Sequence, residues 1–160
     1  MTWIHQLRIG CEERAVAGLN WLARRTGRAE QIAAHLATGL SGEDAAFFYL
    51  RRKGYRIVAR RWSPGDEPGD IDLIAWKGPL LCIVEVKTRT AHDWAPAEAA
   101  VNAHKRTMLR RLARRYVRQL PQENWPAVRF DIVSVYLVPG EKKKFVHFEG
   151  AFSLDASTQD

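Results

Sequence analysis

The stretch that most constrains this chain is an apolar run broken by two charges, Leu80–Arg89. Its first half, from Leu80 to Val84, is typical of a buried strand. Glu85 and Lys87 then interrupt the run. Because strand side chains alternate between faces, these two point to the same side, about 6–7 Å apart. Ionised side chains are rarely buried unless they are paired or bound to metal, so the strand end holds either an ion pair or a functional site.

The bulk properties indicate one soluble cytoplasmic domain. The chain has 160 residues, 46% of them hydrophobic, which suffices for a core. No stretch approaches the roughly 18 apolar residues of a membrane span, and residues 1–10 lack the pattern of a secretory signal. Cys11 and Cys82 are the only cysteines, and we expect no disulfide.

Hydrophobic periodicity and turn signals predict an α/β fold with a mixed central sheet flanked by helices. A helix is expected from Ser41, as N-cap, to about residue 53, with Gly54 ending it. The other predicted elements are strands at 55–62, 70–76, 80–88, 128–138 and 145–148 and a long helix at 96–120. We assign residues 1–40 to a helical N-terminal extension, 41–154 to the domain and 155–160 to a flexible tail.

Three acidic residues interrupt the predicted apolar structure near one place. A hairpin closed at residues 77–79 sets Asp72 nearly opposite Glu85, so both carboxylates can meet on one face. Glu43, in the first turn of the predicted helix at 41–53, can lean in from the side. An acid there is also favourable with the helix dipole alone.

Two neighbouring carboxylates repel or share a proton unless a cation joins them. Oxygen ligands select hard cations, so we predict Mg²⁺ or Mn²⁺ bound by Asp72, Glu85 and the backbone carbonyl of Val86. Lys87 would orient an attacking water or stabilise charge on a phosphate. The alternative is a buried ion pair of Lys87 with Asp72 or Glu85 that only supports the fold.

Positive charge clusters in two places. The net charge is +7; residues 51–61 carry six basic residues and residues 101–120 carry seven, with no acid in either segment. Such clusters suggest a polyanion partner, and Arg106, Arg110 and Arg114 are the expected contacts on the long helix. The alternatives are a solvated face that keeps the protein soluble and, less favoured, an anionic membrane surface.

The motifs resemble the PD-(D/E)xK nucleases, and more closely the YraN family. The matching segments, in family order, are Gly42-Glu43-Asp44-Ala45-Ala46, Leu50-Arg51-Arg52-Lys53-Gly54-Tyr55, Gly69-Asp70-Ile71-Asp72-Leu73-Ile74-Ala75, Val84-Glu85-Val86-Lys87-Thr88-Arg89, Pro96-Ala97-Glu98-Ala99-Ala100-Val101 and Arg129-Phe130-Asp131-Ile132-Val133. The resemblance covers about residues 42–152. The family's proline-containing motif is not intact before Asp72, where Ile71 stands.

The resemblance implies a restriction-endonuclease-like core with Glu43, Asp72, Glu85 and Lys87 as metal and catalytic residues. It implies a supporting role for Asp70 and a phosphate contact for Lys105, and we expect Arg89 to bind nucleic acid as well. The expected function is Mg²⁺- or Mn²⁺-dependent hydrolysis of phosphodiester bonds in structured DNA, rather than RNA, during repair or recombination. The alternative is a non-catalytic nucleic-acid-binding scaffold of the same fold. Substrate structure and oligomeric state, a homodimer included, stay open.

Overall fold

The architecture is α/β, as predicted. The structure, a computed structural model, describes residues 34–92, 101–121 and 125–155. Its elements are α1 (Ala34–Arg52), β1 (Arg56–Trp62), β2 (Ile71–Lys77), β3 (Leu80–Arg89), α2 (Ala103–Val117), β4 (Val128–Tyr136) and β5 (Lys144–Phe152). The N-terminal extension predicted over 1–40 falls mostly outside the described residues, and so does the predicted tail after residue 155. No described helix has the length and apolar character needed to cross a membrane.

The five strands form one mixed sheet in the order β1-β2-β3-β4-β5. The central pair, β3 and β4, is parallel, and the other neighbours are antiparallel. A parallel pair needs a crossover connection, and the chain between these two strands contains α2. This mixed sheet with its two helices is consistent with a restriction-endonuclease-like core.

The β2–β3 hairpin has the predicted position and a two-residue turn. Lys77 pairs with Leu80, so only Gly78 and Pro79 lie between the strands. Gly78 has φ +59°, whereas Pro79 is restricted to negative φ. This combination fits a type II′ turn, which matches the twist of the flanking strands and fixes their register.

The two faces of the sheet carry separate apolar cores. On one face α1 packs with Leu50 and Ala46 against β3 and its neighbours, around the buried Cys82. On the other face α2 inserts Leu109 and Leu112. Cys82 is fully buried among hydrophobic side chains, the setting expected of a cysteine that acts as a small hydrophobe.

The ends of the helices differ in part from the sequence prediction. The predicted N-cap at Ser41 is wrong, since α1 begins at Ala34 and contains Ser41 in its interior. The predicted end is confirmed: Gly54 has φ +82°, its N–H donates to the Arg51 carbonyl, and Tyr55 N–H donates to the Leu50 carbonyl, the two bonds of a Schellman motif. Helix α2 begins after Asn102, whose side chain accepts from Lys105 N–H at 2.9 Å; residues 93–100 lie outside the described part.

Candidate active site

The pairing of β2 with β3 brings Asp72 and Glu85 together. Leu73 lies opposite Val84, and one step further along the hairpin Asp72 faces Glu85. The Asp72 carboxylate crosses to β3, where Oδ2 accepts a hydrogen bond from Val86 N–H at 2.6 Å. Two acidic side chains from neighbouring strands therefore meet at the end of the hairpin far from its turn.

Glu85 is the most deeply buried charge of this group, with 3% of its surface exposed. Lys87 Nζ donates to Glu85 Oε1 at 2.9 Å. Lys105, from the start of α2, places its Nζ 3.1 Å from Oε2, in ion-pair contact but without the geometry of a hydrogen bond. Two ammonium groups thus compensate one carboxylate, and the ion pair that the sequence allowed as an alternative to a site is formed between Glu85 and Lys87.

Asp72 has no lysine of its own within ion-pair distance among the described residues. Burial, and then the negative charge of Glu85, raise the pKa of Asp72 to about 7. The bond from Val86 N–H and the charge of Lys105 oppose this rise. A proton on Asp72, or a cation bound between Asp72 and Glu85, would reduce the repulsion between the two carboxylates. Such repulsion is expected when two acids share one site of low dielectric constant.

Glu43 approaches from α1 and is held by β1. Its Oε2 is buried, accepts no hydrogen bond from the described residues, and lies 3.6 Å from Arg61 Nε. Burial of the carboxylate raises the pKa of Glu43 above its usual value. The positive charges of Arg61 and Arg60 oppose this rise, and the negative charge of Asp70 adds to it. Glu43 is close enough to affect Asp72 electrostatically. The predicted group of Glu43, Asp70, Asp72, Glu85 and Lys87 therefore occupies one region, with Asp70 beside Glu43.

The donors fit a hard divalent cation. Asp72 and Glu85 offer carboxylate oxygens, and Glu85 Oε2 is buried without a hydrogen bond. Mg²⁺ is commonly bound by one or two carboxylates and several waters. Among the described residues, no group of three or more His, Cys, Asp or Glu side chains could hold a metal ion. An ion bound by Asp72 and Glu85 would need water or other oxygen ligands as well. Any ion at this site would therefore keep open positions for water and substrate.

The predicted nucleic-acid contacts start at this site and follow α2. Lys105 touches Glu85, Arg106 Nε donates to the Val101 carbonyl at 2.8 Å, and Arg110 Nε donates to the Ser153 carbonyl at 2.8 Å. Arg114 Nη2 donates to the Leu154 carbonyl at 2.9 Å. Arg89 lies at the end of β3, where its carbonyl accepts from Leu137 N–H.

A second polar cluster, to which the sequence analysis gave no role, lies on the α1 face of the sheet. Asp131 is buried and accepts from Arg129, His147 and Gly150 N–H at 2.8–3.1 Å. Arg129 also donates to Tyr55 Oη at 2.8 Å. Burial of the Asp131 carboxylate would raise its pKa, but the hydrogen bonds that it accepts from His147, Arg129 and Gly150 keep the pKa below its usual value. An acid inside the apolar run of β4 was the available signal, but two of its three partners come from β5, whose pairing with β4 the sequence does not specify.

Known proteins similar to this chain match the segment that carries the candidate site. The model of "Uncharacterised protein family UPF0102" matches residues 42–135, which include Glu43, Asp72, Glu85, Lys87 and Lys105. A UPF0102 protein of Koribacter versatilis is 54% identical over 103 residues, which is 64% of this chain and 71% of the relative. One of Solibacter usitatus is 48% identical over 114 residues, 71% of this chain and 84% of the relative. One of Rhodococcus opacus is 36% identical over 121 residues, 76% of this chain and all of the relative. The chain therefore belongs to the UPF0102 family, the YraN family.

Proposed function

We propose that this protein is a Mg²⁺- or Mn²⁺-dependent endonuclease that hydrolyses phosphodiester bonds in structured DNA. The observation that carries the proposal is the meeting of Asp72 and Glu85 at the end of the β2–β3 hairpin, with Lys87 on Glu85 at 2.9 Å. A buried acid pair with an adjacent ammonium suits metal-assisted attack on a phosphate better than it suits folding, because the pair itself is electrostatically unfavourable.

Each residue has a separate task in this proposal. Asp72 and Glu85, with the carbonyl of Val86, would hold the ion, which when bound supplies charge to the phosphate and acidifies a water. Lys87 keeps its ammonium at the Glu85 carboxylate, where it can orient the attacking water or neutralise charge that develops on the phosphate. Glu43, with its buried oxygen, would accept a proton or orient a water from the side of α1.

The test combines metal binding with cleavage. Calorimetric titration with Mn²⁺ should give binding to the wild type and much weaker binding to Asp72→Asn and Glu85→Gln. A panel of blunt, flapped and branched DNA should be cut by the wild type with Mg²⁺ or Mn²⁺, and not by Glu85→Ala or Lys87→Ala. Glu141→Gln and Lys144→Ala, which alter exposed charges at the start of β5, are the matched controls. Equal cleavage by the wild type and Glu85→Ala would refute the proposal.

A non-catalytic nucleic-acid-binding scaffold is the second candidate. It is favoured by one specific observation, the compensation of Glu85 by the ammonium groups of both Lys87 and Lys105. On this alternative, titration of the wild type with Mn²⁺ gives no heat of binding, while DNA still binds.

Both candidates require a nucleic-acid partner, for which the net charge of +7 is the support. Neutralisation of phosphates releases counterions, so log Kd should depend linearly on log salt with a slope of about 0.9 per duplex phosphate contacted. The same titration with duplex RNA of equal sequence tests the preference for DNA. A binding constant that does not change with salt would exclude both candidates.

A further inference from the structure

The most exposed large hydrophobic side chain among the described residues is Trp125, just before β4. The Trp125 side chain is 59% exposed, and the other exposed hydrophobic side chains of comparable note in the described part of the chain are two valines, Val58 and Val146. Tryptophan has a large apolar surface and usually finds a partner for its ring. An indole left in solvent beside a cavity is thus a candidate contact for a ligand.

Trp125 lies at a cavity of about 220 Å³ between the end of α2 and the start of β4. The cavity is lined by Val117, Pro126, Val128 and Leu154, and Arg114 and Arg118 flank it. The wall is apolar and the rim is cationic. A flat aromatic group that carries negative charge nearby has the complementary chemistry.

The rim is the end of a stripe of arginines along α2. Arg106, Arg110, Arg114 and Arg118 recur every four residues, so each lies beside the next in a row that turns by about 120° around the helix axis. From the first to the last, the stripe spans about 18 Å at 1.5 Å per residue. It begins next to Lys105, which contacts Glu85, and it ends at the cavity beside Trp125.

The guanidinium groups of this stripe are positioned in advance. Arg106 and Arg110 lie 5.8 and 5.4 Å from the ring centre of Phe152. Arg110 and Arg114 each donate to a backbone carbonyl after β5. A guanidinium has five N–H donors, so Arg110, with one such bond, and Arg114, whose further contact is the exposed Asp155 at 3.7 Å, keep donors for phosphate.

We propose that Trp125 and its cavity form a subsite for an unpaired nucleobase, reached by a single strand whose phosphates follow the arginine stripe from Glu85. This inference rests on the proposed function and specifies its substrate as a duplex with a single-stranded extension. Bases in a duplex are stacked on each other and cannot enter, whereas an unpaired base can stack on an aromatic side chain. A purely apolar partner would place nothing anionic against Arg114 and Arg118.

The test compares three DNA ligands in the presence of EDTA, with binding followed by fluorescence anisotropy. They are a blunt duplex, the same duplex with a short oligothymidine tail, and the same tail with abasic sites. The tail should strengthen binding to the wild type roughly tenfold, the usual worth of base–aromatic stacking. Trp125→Ala should lose this gain, Trp125→Phe should keep most of it, and the abasic tail should bind the wild type as weakly as the intact tail binds Trp125→Ala.

Two arginine variants test the path to the subsite. Arg118→Ala should weaken binding of the tailed duplex and lower its salt slope by about 0.7. Arg115→Ala is the matched control, because this guanidinium is already bound to Asp66 at 2.7 Å, and its salt slope should not change.

The outcomes separate the subsite from the proposed function. If the wild type binds neither duplex, the proposed function fails together with the subsite. If it binds blunt and tailed duplexes equally, or if Trp125→Ala weakens both equally, the subsite is refuted and the proposed function stands. A decrease in molar mass by light scattering for Trp125→Ala would assign the cavity to a second copy and would likewise refute the subsite.

Discussion

Asp72 is an acidic side chain whose ionisation opposes folding of the metal-free protein. Its pKa rises from 3.8 to about 7, so between about pH 4 and pH 7 the folded chain keeps a proton that the unfolded chain has released. The contribution of Asp72 to the free energy of unfolding is therefore most favourable below about pH 4, and it declines as the pH rises to 7. Above pH 7 the folded protein carries an ionised Asp72 beside Glu85.

We therefore expect Asp72→Asn to stabilise the metal-free protein at pH 8, by on the order of 1 kcal/mol. The amide oxygen can still accept from Val86 N–H, which preserves the bond between the strands. Urea denaturation in EDTA at pH 5 and pH 8 measures the effect, and the gain should shrink at pH 5. Destabilisation at pH 8 would mean that the carboxylate supports the fold instead of opposing it.

Arg61 has the backbone conformation of a glycine. Its φ is +48°, and it is the only non-glycine with positive φ in the described part of the chain. The left-handed region costs an L-residue about 1–2 kcal/mol, while its ion pair with Glu43 is half exposed and adds little. Arg61→Gly should accordingly raise the free energy of unfolding by about 1 kcal/mol.

The matched control for Arg61→Gly is Arg60→Gly. Arg60 is its neighbour on β1 without a positive φ, where glycine is unfavourable by roughly 0.5–1 kcal/mol and also removes the ion pair with Asp44 and the contact with the Phe47 ring. Opposite signs for the two variants in urea denaturation would establish backbone strain at Arg61. Destabilisation by both would mean that the left-handed conformation costs nothing here.

At the level of single residues, the sequence was sufficient where side-chain alternation decided the geometry. Counting from the turn placed Asp72 opposite Glu85, because a two-residue hairpin fixes every pair after it. It was not sufficient for Arg61, since arginine carries no signal for positive φ. The partners of Asp131 were also out of reach, because His147 and Gly150 come to it only through the pairing of β4 with β5, whose register includes an irregularity.

At the scale of elements, α1 lies on β3 more closely than its sequence indicates. A Cβ on Gly42 would fall 1.8 Å from Thr88 Oγ1 and 2.9 Å from its Cβ. Helix propensity alone favours alanine over glycine by about 1 kcal/mol, but overpacking costs typically 1–3 kcal/mol. The clash should dominate, because threonine is stiff and its own Cβ is involved.

Gly42→Ala is therefore expected to lower the free energy of unfolding by about 2 kcal/mol and to displace the neighbouring Glu43. A double-mutant cycle with Thr88→Gly, measured in urea, should show a favourable coupling of about 1 kcal/mol or more, because the second change removes all three clashing atoms. Additive effects would show that Gly42 does not set the distance between α1 and β3.

The start of α1 shows why this element was predicted only in part. Ser41 and Asp44 have the spacing of a capping box, yet the helix continues back to Ala34 through them. Local capping signals compete with tertiary packing, and here the helix is long enough to run past the internal signal. The end at Gly54 was predictable, because a left-handed residue after the last turn nearly requires glycine.

At the scale of the whole molecule, some basic side chains form ion pairs with acids of the same chain, and others are left for the proposed nucleic acid. Arg111 and Arg115 on α2 bind Glu67 and Asp66 in the loop before β2, at 2.8 and 2.7 Å. The sequence shows seven basic residues at 101–120 and no acid, but it does not show that acids from elsewhere in the chain pair with four of them, since Lys105 and Arg114 also contact Glu85 and Asp155. The row formed by Arg106, Arg110, Arg114 and Arg118 leads from Lys105, at Glu85, to the cavity beside Trp125.

Lys105 links the two ligands of the proposed enzyme. Its ammonium lies at Glu85 Oε2, where it competes with a metal ion, and a phosphate near the site would draw it away. Metal and nucleic acid should consequently strengthen each other's binding, and by linkage the factor is the same in both directions. In the wild type we expect DNA to raise Mn²⁺ affinity by roughly tenfold, within the usual range of such coupling.

Lys105→Met tests this link, because methionine keeps the apolar stem and removes the charge. The free variant should bind Mn²⁺ several-fold more tightly than the wild type, by the removal of a competing cation, and its DNA-dependent gain should be smaller. Calorimetry with Mn²⁺, with and without a DNA ligand, measures both constants. Arg106→Met is the control, since its guanidinium donates to the Val101 carbonyl and forms no ion pair with Glu85. If Lys105→Met weakens Mn²⁺ binding to the free protein, Lys105 supports the metal site and does not compete for it.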